Sequence, residues 1–198
     1  MNKRAQQREE TRERIVEAAI ECFAECGFRA ASTRQIATRA GANQGLITYH
    51  FKSKDELWRA AANRLFGYLQ RMVEEREPLL EGLPPREQAR EAVRLFVRFA
   101  AAHPELFRFM LEAGKNDDER LHWLVDTHLR PVFEKLHGPG LGPIVDDDLR
   151  AHLQYVLVGA GSLIFANAPE VRRLTGLDPT KPDAIEAHAD FVAKLLVP

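Results

Sequence analysis

Residues 33–57, TRQIATRAGANQGLITYHFKSKDEL, decide how this chain is read. Thr33 stands where an N-cap belongs, Ile36, Ala37 and Ala40 recur at helical spacing, and Gly41-Ala42-Asn43 breaks the run. A second short helix, 44–50, then turns Leu46, Ile47 and Tyr49 inward and leaves Gln44, Gly45 and Thr48 facing out. Ala37 permits a close helix crossing, and Gly41 permits a turn conformation that a side chain would resist. After Phe51, Ser53 caps a third helix with Asp55 and Glu56 in its first turn. Two short helices at a tight turn are the pattern of a helix-turn-helix, whose second helix enters the major groove of DNA.

Charge points the same way. From Gly27 to Lys54 there is no Asp or Glu, while Arg29, Arg34, Arg39, Lys52 and Lys54 are basic, in a chain of net charge −1. An acid-free window suits a surface that meets phosphates, where cations add affinity by releasing counterions. The alternative is a solvated helical pair with an accidental charge bias.

Residues 12–57, RERIVEAAIECFAECGFRAASTRQIATRAGANQGLITYHFKSKDEL, resemble the DNA-binding domain of the TetR family of transcriptional regulators. The likeness rests on four features in order: the helix ending in GF, the T..IA..AG turn, the YHF triplet and the SKDEL helix start. It covers about the first third of the chain. The resemblance implies phosphate contacts from Thr33 and Arg34, and base and backbone contacts from Asn43, Gln44, Gly45 and Thr48. It also implies backbone contacts from Tyr49 and His50 and a phosphate contact from Lys54. Gln44 has the chemistry for a bidentate bond to adenine, and Thr48 for a thymine methyl. Phe51 reads as core.

Toward the N-terminus, residues 1–9 form a polar arm whose Lys3, Arg4 and Arg8 could reach a phosphate or a minor groove; a disordered tail is the alternative. A helix over 10–26 carries one apolar stripe, Ile15, Ala18, Ala19, Cys22, Phe23 and Cys26, and Gly27 ends it. Cys22 and Cys26 read as small buried hydrophobes rather than a redox pair or metal site, because nothing nearby supplies further ligands.

Toward the C-terminus, a helix from Ser53 reaches about Glu77 before Pro78, and a Pro/Gly-rich linker follows. Further helices are expected over 88–102, from Pro104, from Asp117 or Asp118 with a kink at Pro131, from Asp146, and from Pro182. The segment GPGLGP, 138–143, is a break. No stretch alternates with period two, so the chain is expected to be all-α with about nine helices. The expected division is an arm 1–9, a DNA-binding domain 10–55 with its helix-turn-helix at 33–52, and a larger helical ligand-binding and dimerisation domain 56–198.

In that larger part Phe96, Phe99, Phe107, Met110, Trp123, Phe133 and Tyr155 could line a pocket for an apolar or aromatic effector, as the resemblance implies; ordinary core is the alternative. Gly159 to Ser162 lets another helix come close. Leu153, Leu157, Ala160 and Ile164 with Ile185, Ala189, Val192 and Leu196 are the candidates for a four-helix homodimer interface, again as the resemblance implies. The expected partners are a palindromic operator in double-stranded DNA, a small-molecule effector and a second copy of the chain.

Other classes find less support. Glu119/His122 and Glu134/His137 have Glu-x-x-His spacing but fall on one predicted helix, whereas di-iron bundles place such motifs on different helices. GPGLGP lacks a P-loop lysine. No catalytic residues, metal or cofactor are therefore expected. No apolar run approaches the length of a membrane span, and the charged start has no signal-peptide core, so a cytoplasmic protein without membrane contact is expected. The sequence points to a ligand-responsive DNA-binding regulator, acting as a repressor as the resemblance implies; a ligand-independent DNA-binding dimer and a helical metal-binding enzyme are the rivals.

Overall fold

A computed structural model of the chain describes residues 3–137 and 147–198, with no strand among them. The helices are α1 (Lys3–Ala30), α2 (Thr33–Arg39), α3 (Gln44–His50), α4 (Lys54–Leu80), α5 (Pro85–Ala102), α6 (Pro104–Ala113), α7 (Glu119–Leu124), α8 (Arg130–His137), α9 (Asp147–Ala166), α10 (Ala168–Thr175) and α11 (Pro182–Leu196). A π-helical turn, Val125–Leu129, joins α7 to α8 without a break. Helix α10 is the element missing from the sequence-based expectation. The expected break over 138–143 and the helix start at Asp146 lie outside the described residues.

The chain divides into two compact units: Met1–Tyr68 with Arg108–Leu124, and Leu69–Phe107 with Val125–Pro198. In the first, the α1 stripe of Ile15, Val16, Ala19, Ile20 and Phe23 is buried together with Ile36, Ile47, Phe51, Leu57, Trp58 and Leu65. Aromatic rings close this core: Phe23 meets Phe109 edge-on at 6.5 Å, and Trp58 stacks on Phe109 at 5.1 Å. Arg64 on α4 pairs with Glu13 and Glu17 on α1.

Four local readings need correction. Helix α1 begins at Lys3 rather than about residue 10. Gly27 does interrupt it, at φ 73° and ψ 173°, and a further turn follows. A Cβ on Gly27 would lie 2.8 Å from Glu112 Oε2, the end of a flexible side chain that can move aside, so it is the dihedral that requires glycine. Cys22 is buried but Cys26 is exposed, its thiol donating to the Cys22 carbonyl at 3.0 Å. Ser32, not Thr33, caps α2: its Oγ accepts from Gln35 N–H at 3.1 Å while Gln35 Oε1 accepts from Ser32 N–H at 3.0 Å. Finally, α4 runs to Leu80 with Pro78 inside its last turn, so Pro78 does not end the helix, although it has no N–H to give the Glu74 carbonyl.

In the second unit α5 packs on α9 and α11, burying Val93, Val97, Ala100, Phe165, Ala189, Val192 and Ala193. The close approach expected at Gly159–Ser162 is made within the chain: a Cβ on Gly161 would fall 2.8 Å from a Phe96 ring carbon, whereas Gly159 faces open space. An ionic ladder ties α5 to α11, with Arg94 on Asp190 at 2.8 Å, Arg98 on Glu186 at 2.8 Å, and Glu91 bonded to both arginines. His188 Nε2 and the Ala160 carbonyl are 2.8 Å apart, pinning α11 to α9. The π-turn ends two residues before Pro131, whose absent N–H and bulky ring disfavour regular α-helical bonding to the preceding turn.

Replacing Gly161 by Val is expected to destabilise the protein by about 1–3 kcal/mol through overpacking against Phe96. Gly159→Ala should be neutral or stabilising by up to about 1 kcal/mol, and urea denaturation of both variants checks the contrast.

Candidate nucleic-acid interface

The surface built by α2 and α3 follows from how little of it can be buried. Along α3 only Ile47 is in the core; Leu46 is 38% exposed and Tyr49 62% exposed, so the inward placement of these two is corrected. Gln44, Gly45, Thr48 and Tyr49 are all exposed, as are Arg34 on α2 and Lys52 after α3. Gly41 takes φ 59° in the turn between the helices, where an ordinary residue would be strained.

Two of the expected DNA contacts also serve the local fold. Asn43 caps α3, its Oδ1 accepting from Gly45 N–H at 2.9 Å. Gln44 Nε2 donates to Thr33 Oγ1 at 3.3 Å, joining the N-termini of α2 and α3. A Cβ at Gly45 would lie 3.5 Å from Asn43 Oδ1, an ordinary contact, so the protein's own packing does not demand glycine there.

The cations are less uniform than the sequence window suggests. Arg39 is matched by Glu25 at 2.8 Å and Glu21 at 3.5 Å, acids supplied by α1. Lys54 is turned inward: its Nζ lies 4.5 Å from the Phe28 ring centroid and donates to the Arg29 carbonyl at 3.4 Å, and burial lowers its pKa. Lys52, which the site reading omitted, is exposed, and its backbone N–H donates to Glu56. The residue type and the acid-free window were the available signal.

Tyr49 and His50 meet edge-on at 5.1 Å, and the Arg8 guanidinium lies 5.2 Å from the Tyr49 ring centroid. Arg12 similarly covers the buried Phe51 at 5.5 Å. Partial burial, with the positive charges of Arg8 and Arg12, pushes the His50 pKa down against a weaker opposing pull from Glu9. His50 is thus held as a neutral imidazole, a hydrogen-bonding group at this surface rather than a fixed cation.

The other candidates are scattered. Phe96, Phe99 and Phe107 form one cluster in the second unit, with ring contacts at 5.8 and 6.5 Å. Met110 and Trp123 belong to the first unit, where Trp123 meets Trp58 at 5.9 Å. Tyr155 is 78% exposed, which removes it from an enclosed pocket. Of the interface candidates, Leu153 is exposed, and Leu157, Ala160, Ile164, Ile185 and Leu196 are half-buried. Ala189 and Val192 are fully buried within the chain's own α5–α11 packing and cannot present a face to a second copy. Exposed Leu149, Val156 and Leu163 extend the Leu153 stripe along α9, and Phe191 and Leu195 are exposed on α11. Among the described residues no group of three or more His, Cys, Asp or Glu is placed to hold a metal, and no helix is long and apolar enough to cross a membrane.

A capped two-helix unit with an exposed, acid-free second helix is a helix-turn-helix, the unit whose second helix enters the major groove in DNA-binding proteins. Residues 15–66 match the family model for bacterial regulatory proteins of the tetR family, and the chain has the all-helical fold of TetR-like regulators. It is 29% identical over 143 residues to the HTH-type transcriptional repressor NicS of Pseudomonas putida, a match spanning 72% of this chain and 65% of that protein. It is 41% identical over 71 residues to the HTH-type transcriptional repressor Rv3405c of Mycobacterium tuberculosis, spanning 36% of this chain and 38% of that one. The chain therefore matches less than two thirds of the length of either relative. Its fold is similar to that of the transcriptional regulator FadR of Bacillus subtilis, solved with stearoyl-CoA, at a TM-score of 0.64 and 19% identity over 93% of this chain and 97% of that one.

An NMR titration should find His50 below the ordinary imidazole range, and Arg8→Gln should move it upward by removing a nearby positive charge. Because the unfolded chain takes up this proton first, His50 should lower stability as pH falls through the ordinary imidazole range, and less so in the variant.

Proposed function

We propose that this protein is a dimeric, effector-responsive transcriptional repressor that binds a palindromic operator through α3. The observation that carries this reading is the exposed set Gln44, Gly45, Thr48 and Tyr49 on a short helix fixed at both ends, beside Arg34 and Lys52. Gln44 and Thr48 read base edges, Gly45 lets the backbone come close to DNA, and Thr33, Arg34, Asn43, Tyr49, His50 and Lys52 hold the phosphates. Lys54 contributes there only if it leaves Phe28.

Dimerisation is supported by the apolar stripe Leu149, Leu153, Val156 and Leu163 on α9, with Phe191 and Leu195 on α11. Two heads double the bases read and make the site palindromic. The effector is a small apolar or aromatic molecule held near the Phe96, Phe99 and Phe107 cluster; the stearoyl-CoA bound to the structurally similar FadR supports an apolar ligand in this fold. Its binding shifts α4, which belongs to both units, and so changes the spacing of the two heads. The protein acts in the cytoplasm, without catalysis.

Selection from a random duplex library at physiological salt is expected to enrich one palindrome with half-sites about one helical turn apart. Folded dimeric protein that enriches nothing would sink the reading. Gly45→Ala should keep or slightly raise thermal stability, by up to about 1 kcal/mol, while weakening binding to the selected site. A screen of apolar and aromatic compounds should give a concentration-dependent rise in Tm and release of DNA; DNA binding with no responsive compound would favour a ligand-independent dimer.

A further inference from the structure

The first turns of α1 extend well beyond the core. Every residue from Lys3 to Glu10 is exposed, and the first buried side chain of the helix is Ile15. Burial therefore does not account for this extension, and its composition is basic at Lys3, Arg4 and Arg8. Its acids are directed elsewhere: Glu9 pairs with Arg12 at 3.4 Å, and Glu10 accepts from Gln6 at 3.1 Å.

The extension forms one wall of an open groove of about 440 Å³, lined by Arg4, Ala5, Gln7, Arg8 and Thr11 on one side and Leu46, Tyr49 and His50 on the other. Neither Glu9 nor Glu10 lines it. Small Ala5 keeps the wall low, and the Tyr49 ring holds the Arg8 guanidinium at 5.2 Å. The groove explains why Leu46 and Tyr49 are exposed: they form its apolar floor beside two arginines and a neutral imidazole.

We propose that this groove seats a stretch of DNA sugar-phosphate backbone, making the start of α1 a second phosphate-binding element next to the base-reading helix. Arg4 and Arg8 lie four residues apart on one helix face, about 6 Å along its axis. That spacing offers separate cations to neighbouring phosphates of a polyanion rather than converging on one small anion. Leu46 and Tyr49 give the sugars an apolar surface, and Gln7 and Thr11 add polar groups. The contact carries affinity and orientation but no sequence information. It rests on the DNA-binding reading and adds a partner surface outside the helix-turn-helix.

The test is the salt dependence of binding to a labelled duplex of random sequence, for the wild type and for Arg4→Gln/Arg8→Gln. Each phosphate contact contributes about 0.9 to the slope of log K against log salt, so the double variant should flatten it by about 1.8 per engaged head. Affinity at physiological salt should fall on the order of tenfold or more. Arg4→Lys/Arg8→Lys should restore the slope by restoring the charge. Arg173→Gln/Lys194→Gln removes the same charge from exposed residues of α10 and α11 and should leave the slope unchanged. A wild-type slope in Arg4→Gln/Arg8→Gln, or equal flattening in the charge-matched control, overturns this inference alone. A folded wild type that binds no duplex overturns the DNA-binding reading with it.

Discussion

The recognition surface is built on two helices of seven residues each, and helices that short do not persist in water on their own hydrogen bonds. They exist because Ile36, Ala37 and Ile47 are buried in the core built on α1. Caps at Ser32 and Asn43 satisfy N–H groups that would otherwise be orphaned. Gly41 supplies the positive φ of the turn between the helices. With one inward position on α3 spent on Ile47, the remaining side chains stay at the surface. The exposure of α3 and its dependence on α1 thus have the same origin.

Much of this could be read from the residue pattern because the governing interactions are local. Apolar spacing in α1, the glycine turn and the Ser53 cap, whose Oγ accepts from Glu56 N–H at 3.0 Å, all act within a few residues. The cap of α2 was one residue out, although its signal was present: Gln35 stands three residues after Ser32 and two after Thr33. The early start of α1 was less visible, because exposed polar turns have no apolar period to reveal them.

Charge was legible in composition but not in space. The window from Gly27 to Lys54 has no acid of its own, yet Glu21 and Glu25 of α1 reach Arg39, and Phe28 draws Lys54 inward. Lys52 escapes both. The second unit shows the same limit. Apolar positions on α9 and α11 were identified correctly as apolar, but only packing separates Ala189 and Val192, covered by α5, from Leu153, Phe191 and Leu195, left exposed. A periodic stripe states that a face is covered; it does not state by what.

Gly27 has a consequence for how this protein can diversify. A φ of 73° with ψ 173° excludes most side chains on conformational grounds. The nearest neighbour, the Glu112 carboxylate, is the end of a flexible side chain and can move aside, so space is not what holds the position. Shortening Glu112 would clear the space and leave the dihedral. In a population of drifting sequences residue 27 should therefore stand still while residues 112 and 28–31 change around it, an anchor for aligning distant descendants of this chain.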